Sequence, residues 1–258
     1  MDRETRRLAV LIDAENAQLA VLADLLAEIA KLGLATVKRV YGDFTSPLLA
    51  SWREPLLAHS IQPIQQFRNT VHKNASDSAL IIDAMDLLHS AKFDGFCIVS
   101  SDSDFTRLAS RIREEGILVY GYGEQKTPKS FIAACDKIIY TEILTAPTCV
   151  RTTPTKPPTG PSSLNDLAPR LTDAVESCAD EAGWSFLGTV GNLLANHIPD
   201  FDPRHFGFGK LSTLIEAVGL FEIERRGNDQ MPQLFVRMKP DAGNEIRAHE
   251  CVDSRQTS

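Results

Sequence analysis

Cysteine is sparse in this 258-residue chain and poorly placed for a cross-linked scaffold. The five residues, Cys97, Cys135, Cys149, Cys178 and Cys251, are odd in number, widely spaced and never form a CxxC pair. That argues against a disulfide framework and a Cys-rich zinc site, and it fits a reducing compartment. His59, His72 and His89 show no HxxxH or HExxH spacing, so no histidine metal site is expected either. No apolar run approaches the roughly 18 residues of a bilayer span, and no membrane partner is expected. Arg3, Arg6 and Arg7 precede an apolar stretch, but that stretch stops at Asp13, too soon for a secretory-signal core. The expectation is a cytoplasmic protein. A basic tract is also missing: Lys and Arg number 27 against 34 Asp and Glu, a net charge of −7. Gripping nucleic acid by bulk electrostatics is therefore disfavoured. Handling phosphate through bound cations is not, because a carboxylate cluster makes the metal-free chain look acidic.

What is present is a globular composition, 43% hydrophobic and 24% charged. Residues 144–163 (LTAPTCVRTTPTKPPTGPSS) hold five prolines and read as a semi-extended linker. They separate a domain at 1–143 from a second at 164–240, followed by a polar tail at 241–258 that is expected to be disordered. In the first domain, short apolar runs at 8–12, 35–41, 61–67, 95–99 and 118–121 alternate with helical patterns. These patterns cover 19–32 (ended by Gly33), 47–59, 76–89 (Ser76 as N-cap) and 105–115 (closed by Gly116). Such alternation predicts an α/β fold, a parallel sheet covered by helices on both faces. In the second domain, helical patterns at 164–182, 187–197 and 210–218 precede two strands, 221–224 and 233–238. The strands flank a turn with Gly227 and Asn228. Three helices and a hairpin predict a small winged helix-like domain.

In parallel α/β sheets, chemistry collects at the carboxyl ends of strands. The first strand ends there in Asp13, Glu15 and Asn16. The strand at 95–99 runs into Ser100, Ser101, Asp102, Ser103 and Asp104, and Asp77 lies in the first turn of the helix at 76–89. Clustered oxygen ligands suit Mg²⁺ or Mn²⁺. Two such ions would polarise a phosphate and supply a hydroxide for in-line attack. Each Asp alone has a plainer reading: Asp104 as a helix cap, the others as solvated charges. Asp13 has the weakest plain reading, because it ends an otherwise apolar strand. Asp77 shares a helical face with Leu80, Ala84 and Leu88 and so faces inward. Asp83 lies about 120° around that helix and reads as solvated beside Asp86. Lys73, Lys126 and Lys129 are either counter-ions or contacts for the scissile phosphate. Arg107, Arg111 and Arg113 read as a solvated face, and Cys97 and Cys135 as core.

The segments LIDAEN, KNASDSALIIDAMDLL, IVSSDSDF, EEGILVYGYGEQKTP and ACDKIIYTE, in that order, resemble the successive motifs of the NYN domain. This is a family of PIN-like metal-dependent ribonucleases, and the chain is similar to its bacterial LabA-like branch. The resemblance implies that Asp13, Asp77, Asp102 and Asp104 form the catalytic metal site. Asn16 would position substrate or water, and Asp83 matches a further acidic position. Ser101 stands where the family often has Gly. GWSFLG and DFDPRHFGFGKLSTLIE are similar to the LOTUS, or OST-HTH, domain, which implies RNA binding or protein docking. From the residues themselves, Phe201, Phe206 and Phe208 read as core. Arg204, His205, Lys210, Arg225 and Arg226 are a thin basic footprint, so stacking on an exposed aromatic is the favoured mode toward RNA. The expected function is a ribonuclease dependent on Mg²⁺ or Mn²⁺, with RNA as substrate and a docking module for RNA or a protein partner. The alternatives are an RNA-binding adaptor with little turnover and a small-ester phosphohydrolase. The latter would need a nucleophilic DxD setting where this chain has Asp-Ala-Glu-Asn.

Overall fold

The computed structural model describes residues 5–67, 75–144, 164–227 and 233–239. The chain divides into two compact units, Met1–Thr148 and Cys149–Ser258. The linker expected at 144–163 and the tail expected from 241 lie, apart from residue 144, outside the described residues.

The first unit runs β1 (Arg7–Asp13), α1 (Leu22–Ala30), β2 (Leu34–Gly42), α2 (Arg53–Ala58), β3 (Gln62–Gln65) and α3 (Ala75–His89). It continues with β4 (Gly95–Val99), α4 (Thr106–Glu114), β5 (Leu118–Gly123), α5 (Lys129–Ala134) and β6 (Lys137–Tyr140). All six strands are parallel, in the order β3-β2-β1-β4-β5-β6. Alternation along each strand feeds two apolar layers. In β1, Ala9 and Leu11 join Leu80, Ala84 and Leu88 of α3 and Leu108 and Ile112 of α4 on one face. Leu8, Val10 and Ile12 join Leu22, Leu25 and Ile29 of α1 on the other. Burying each of the Leu, Ile and Val side chains contributes about 1.5–3 kcal/mol, and this two-sided burial is why β1 and β4 read as unbroken apolar runs. Cys97 and Cys135 are both core residues.

Several boundaries differ from the expectation. The segment at 19–32 opens as a 3-10 turn, and its α-helix ends at Ala30. Helix α3 already includes Ala75, so Ser76 is a buried first-turn residue rather than the cap. The third strand is only QPIQ, with Pro63 tolerated because β3 lies at the sheet edge. α5 and β6 were not anticipated as elements, since six and four residues are too short to show a period.

The second unit comprises α6 (Leu164–Ser177), β7 (Ser185–Phe186), α7 (Leu187–His197), α8 (Leu211–Val218), β8 (Phe221–Arg226) and β9 (Gln233–Met238). The strands form an antiparallel sheet in the order β7-β9-β8. Leu171, Val190, Leu194, Leu214, Ile215 and Val236 centre its own core, with Phe201 buried and Phe206 and Phe208 packed against it. Three helices and a hairpin form the expected small domain, with β7 as an unanticipated third strand.

Candidate metal centre

The order of the sheet reverses beside β1: β2 and β3 follow on one side, β4 to β6 on the other. A crevice opens at such a switch point, outside the carboxyl ends of the two diverging strands. Those ends carry Asp13 and the loop Ser100–Asp104. By strand alternation, Asp13 falls on the same face as Ala9 and Leu11, the face covered by α3. Asp77 heads the buried stripe Leu80, Ala84, Leu88 of that helix. Sheet pleat and helical period therefore aim at one place.

There, Asp77, Asp102 and Asp104 each offer a carboxylate oxygen, and these atoms lie within 4.8 Å of one another. Donors around one Mg²⁺ at about 2.1 Å are at most about 4.2 Å apart, so small side-chain rotations suffice to close on an ion. The donor set is entirely hard carboxylate oxygen, which fits a hard divalent cation. The electrostatics fit as well. Burial, followed by repulsion from Asp13, Asp102, Glu15 and Asp104, pushes the Asp77 carboxyl up to about 6. A cation at this point removes that cost.

Asp13 stands behind this group. It is 1% exposed, and its carboxylate accepts from the Glu15 backbone N–H (3.0 Å), the Asn16 side-chain amide (2.7 Å) and the Ser100 hydroxyl (3.0 Å). Burial outweighs these bonds and raises its pKa above the usual carboxylate value. Asn16 is thus engaged with Asp13. Asp102, not Asp104, caps the 3-10 turn Ser103–Phe105, accepting from the Asp104 N–H at 3.0 Å. Ser100 has no assigned role in the sequence reading, yet its hydroxyl also accepts from the Asp102 N–H at 3.1 Å, tying the inner carboxylate to the acidic loop. Its signal was its place as the first polar residue after an apolar strand. Ser101 accepts from the Glu124 N–H at 2.8 Å and so couples this loop to the one after β5. Gly123 permits that approach, since a Cβ there would lie 2.4 Å from Thr127 Oγ1 and 3.0 Å from the Ser100 carbonyl.

The remaining candidates are placed elsewhere. Asp83 is neither in the cluster nor solvated. It accepts from Arg39 and from the Tyr41 hydroxyl of β2, fastening α3 to the sheet. Burial and the Asp83 charge raise the Tyr41 pKa, keeping it a donor. Lys126 is exposed and paired with Glu124 at 2.8 Å, and Lys129 is exposed at the start of α5. Lys73 lies outside the described residues. Arg107, Arg111 and Arg113 pair with Glu114, Glu115 and Asp136 on the surface. In the second unit, two residues of the thin basic footprint are committed internally. Arg204 binds Asp202 through Nε and Nη2, at 3.0 Å and 2.7 Å. The His205 ring contacts the Asp200 carbonyl, and burial lowers its pKa.

A six-stranded parallel sheet with an acidic cluster at its switch point is the architecture of a PIN-like α/β/α domain, a nuclease-like fold. A family model for the NYN domain matches residues 7–144, and the chain belongs to that family. A model for the OST-HTH/LOTUS domain, an RNA-binding module, matches residues 162–232. No curated protein matches the chain. Among solved structures, a protein of unknown function from Vibrio parahaemolyticus RIMD 2210633 is 18% identical, with a TM-score of 0.46 over 54% of this chain and 95% of its own. An uncharacterized protein from Nitrosomonas europaea is 33% identical over 38% of this chain and 90% of its own, with a TM-score of 0.28. A protein from Chromobacterium violaceum is 32% identical over 29% of this chain and 82% of its own, with a TM-score of 0.26. No helix among the described residues is long and apolar enough to cross a membrane.

Proposed function

We propose that the protein is a ribonuclease that hydrolyses RNA phosphodiester bonds with Mg²⁺ or Mn²⁺, and that its C-terminal unit recruits RNA. The observation that carries this reading is the convergence of Asp77, from α3, with Asp102 and Asp104, from the loop after β4, at the sheet's switch point. When bound, a divalent cation there supplies Lewis-acid stabilisation of phosphate charge and lowers the pKa of water. Asp77, Asp102 and Asp104 would hold it. Asp13 adds negative charge from behind, kept in place by Asn16 and Ser100. Lys126 and Lys129 lie on the segment following β5, whose loop is bonded to Ser101, and are suited to orient the RNA backbone. A cytoplasmic protein remains the reading from cysteine usage.

The test is cleavage of a labelled RNA by the full chain with Mn²⁺, Mg²⁺ or EDTA. Cleavage with metal that is lost in EDTA and in Asp77→Asn supports the proposal. RNA bound but uncut across varied substrates and metals would instead make the protein an adaptor, and equal cleavage by Asp77→Asn would place the chemistry elsewhere.

A further inference from the structure

The small sheet of the second unit has one face on its core and one turned outward. Ser185, Ile223 and Val236 are in register on the inner side, with Ser185 and Val236 fully buried. Alternation therefore places Phe186, Phe235, Arg237, Glu222, Glu224 and Arg226 on the outer side. Phe186 and Phe235 are directly opposite, with ring centroids 5.8 Å apart. The Arg226 guanidinium sits 4.7 Å from the Trp184 ring centroid and 4.8 Å from that of Phe235, and Arg237 sits 4.6 Å from Trp184. Glu224 and Glu222 hold these guanidiniums at 2.8 Å and 2.6 Å. Phe186 is 41% exposed. Its ring lies over the first turn of α7, where a Cβ on Gly188 would come within 2.6 Å of it.

We propose that this outer face, centred on Phe186, Phe235, Trp184 and Arg226, is a stacking platform for unpaired RNA bases. The inference rests on reading the second unit as an RNA module, and it names the surface and the RNA state recognised. Aromatic rings and guanidinium planes are the two surfaces on which splayed bases stack. The face is also balanced in charge, Arg226 and Arg237 matching Glu224 and Glu222, although acidic residues outnumber basic ones beyond residue 143. Because both stacked arginines are already bonded to glutamates, contact with bases dominates over neutralisation of phosphate. Size favours RNA over a protein partner. Three rings, two of them partly covered by guanidinium, offer far less than the roughly 800 Å² per partner of a stable protein interface. They are enough for one or two bases.

The test uses the full chain in EDTA, so that no metal-dependent cleavage interferes. The probe is a ten-nucleotide oligoadenylate RNA, single-stranded or annealed to oligouridylate. Trp184 reports binding by fluorescence, with Trp52, only 2% exposed, as a constant background. Saturable quenching by the single strand, several-fold weaker affinity for the duplex, and a loss of about five-fold or more in Phe186→Ala are expected, the last being the low end for one lost base–aromatic stack. Phe186→Tyr keeps the ring and should bind like the parent, which separates stacking from misfolding. Unchanged RNA affinity in Phe186→Ala, or equal affinity for the duplex, would overturn the platform while leaving RNA recruitment standing and the face to a protein partner. No RNA binding by the parent chain would overturn the RNA-module reading itself. Metal-dependent cleavage is scored separately and decides neither result.

Discussion

Asp77 holds the least comfortable charge in the acidic crevice, and that discomfort is measurable. Its ordinary value is 3.8 and its folded value about 6. Between the two, the folded chain keeps a proton that the unfolded chain has released. The metal-free protein therefore loses stability as pH rises through this window, and the advantage of the neutral form is complete only below it. After discounting for the half-exposed side chain, the loss is about 1–2 kcal/mol. Asp13, also raised, adds in the same direction, whereas Asp202, whose burial is outweighed by its hydrogen bonds and charge pairing with Arg204, is lowered and contributes oppositely and at lower pH. The Tm of Asp77→Asn subtracted from that of the parent isolates the effect. The variant should be the more stable at pH 7 without metal and should lose the stabilisation that Mn²⁺ gives the parent. A variant no more stable than the parent at pH 7 would mean the repulsion is already relieved. Ser100 gives a second residue-scale expectation. Ser100→Ala removes a donor from a buried carboxylate and an acceptor from the Asp102 N–H, and it should cost about 1.5–3 kcal/mol. Urea unfolding measures that cost, and Mn²⁺ titration should show weakened binding as the acidic loop loosens.

At the scale of elements, α3 has two jobs carried by different turns. Its first turn presents Asp77, and a later turn holds Asp83 against Arg39 and Tyr41 of β2. Asp83→Asn keeps the shape but leaves the partly buried Arg39 without its anion, which should cost about 2–4 kcal/mol. If the jobs are separate, the urea midpoint falls while Mn²⁺ affinity in native buffer changes by less than about two-fold. A large fall in Mn²⁺ affinity with an unchanged midpoint would instead put Asp83 in the metal site. This residue also marks the limit of what the sequence could tell. Helical spacing put Asp77 on the buried stripe but read Asp83 as solvated, because spacing cannot say which strand lies beneath α3, and the partners of Asp83 on β2 were invisible. The elements buried on both faces, β1 and β4, were legible as apolar runs, and α7 began and ended where its pattern did. β7 was not, because two residues carry no period and it exists only by pairing with β9. The acidic crevice was legible because it depends on strand ends and one helical face. The Ser100 bridge was not, because it depends on the pleat of two strands meeting across the switch point.

For the whole molecule, the question is whether the chemistry and the recruitment of RNA can be separated. The three clustered carboxylates and Asp13 all lie in the first unit, which has an apolar layer on each face of its sheet. Ile143 and Leu144 pack against one of these layers, so a fragment must run past them. A chain of residues 1–148 includes both and divides the units where they part. We propose that the proline-rich sequence from 144 to 163 tethers the two units. A second binding site on such a tether raises the effective RNA concentration at the first only while the two are joined, by a factor that reaches 10²–10⁴ in favourable geometry. Residues 1–148 should therefore fold, bind Mn²⁺ and cleave RNA at saturation with kcat within about three-fold of the full chain, while KM rises by about ten-fold or more. Steady-state cleavage of one labelled single-stranded RNA by both proteins measures the two constants. A fragment that binds Mn²⁺ yet fails to cleave at any RNA concentration would mean that the second unit completes the active site. An unchanged KM would mean that this unit recruits something other than the RNA being cut.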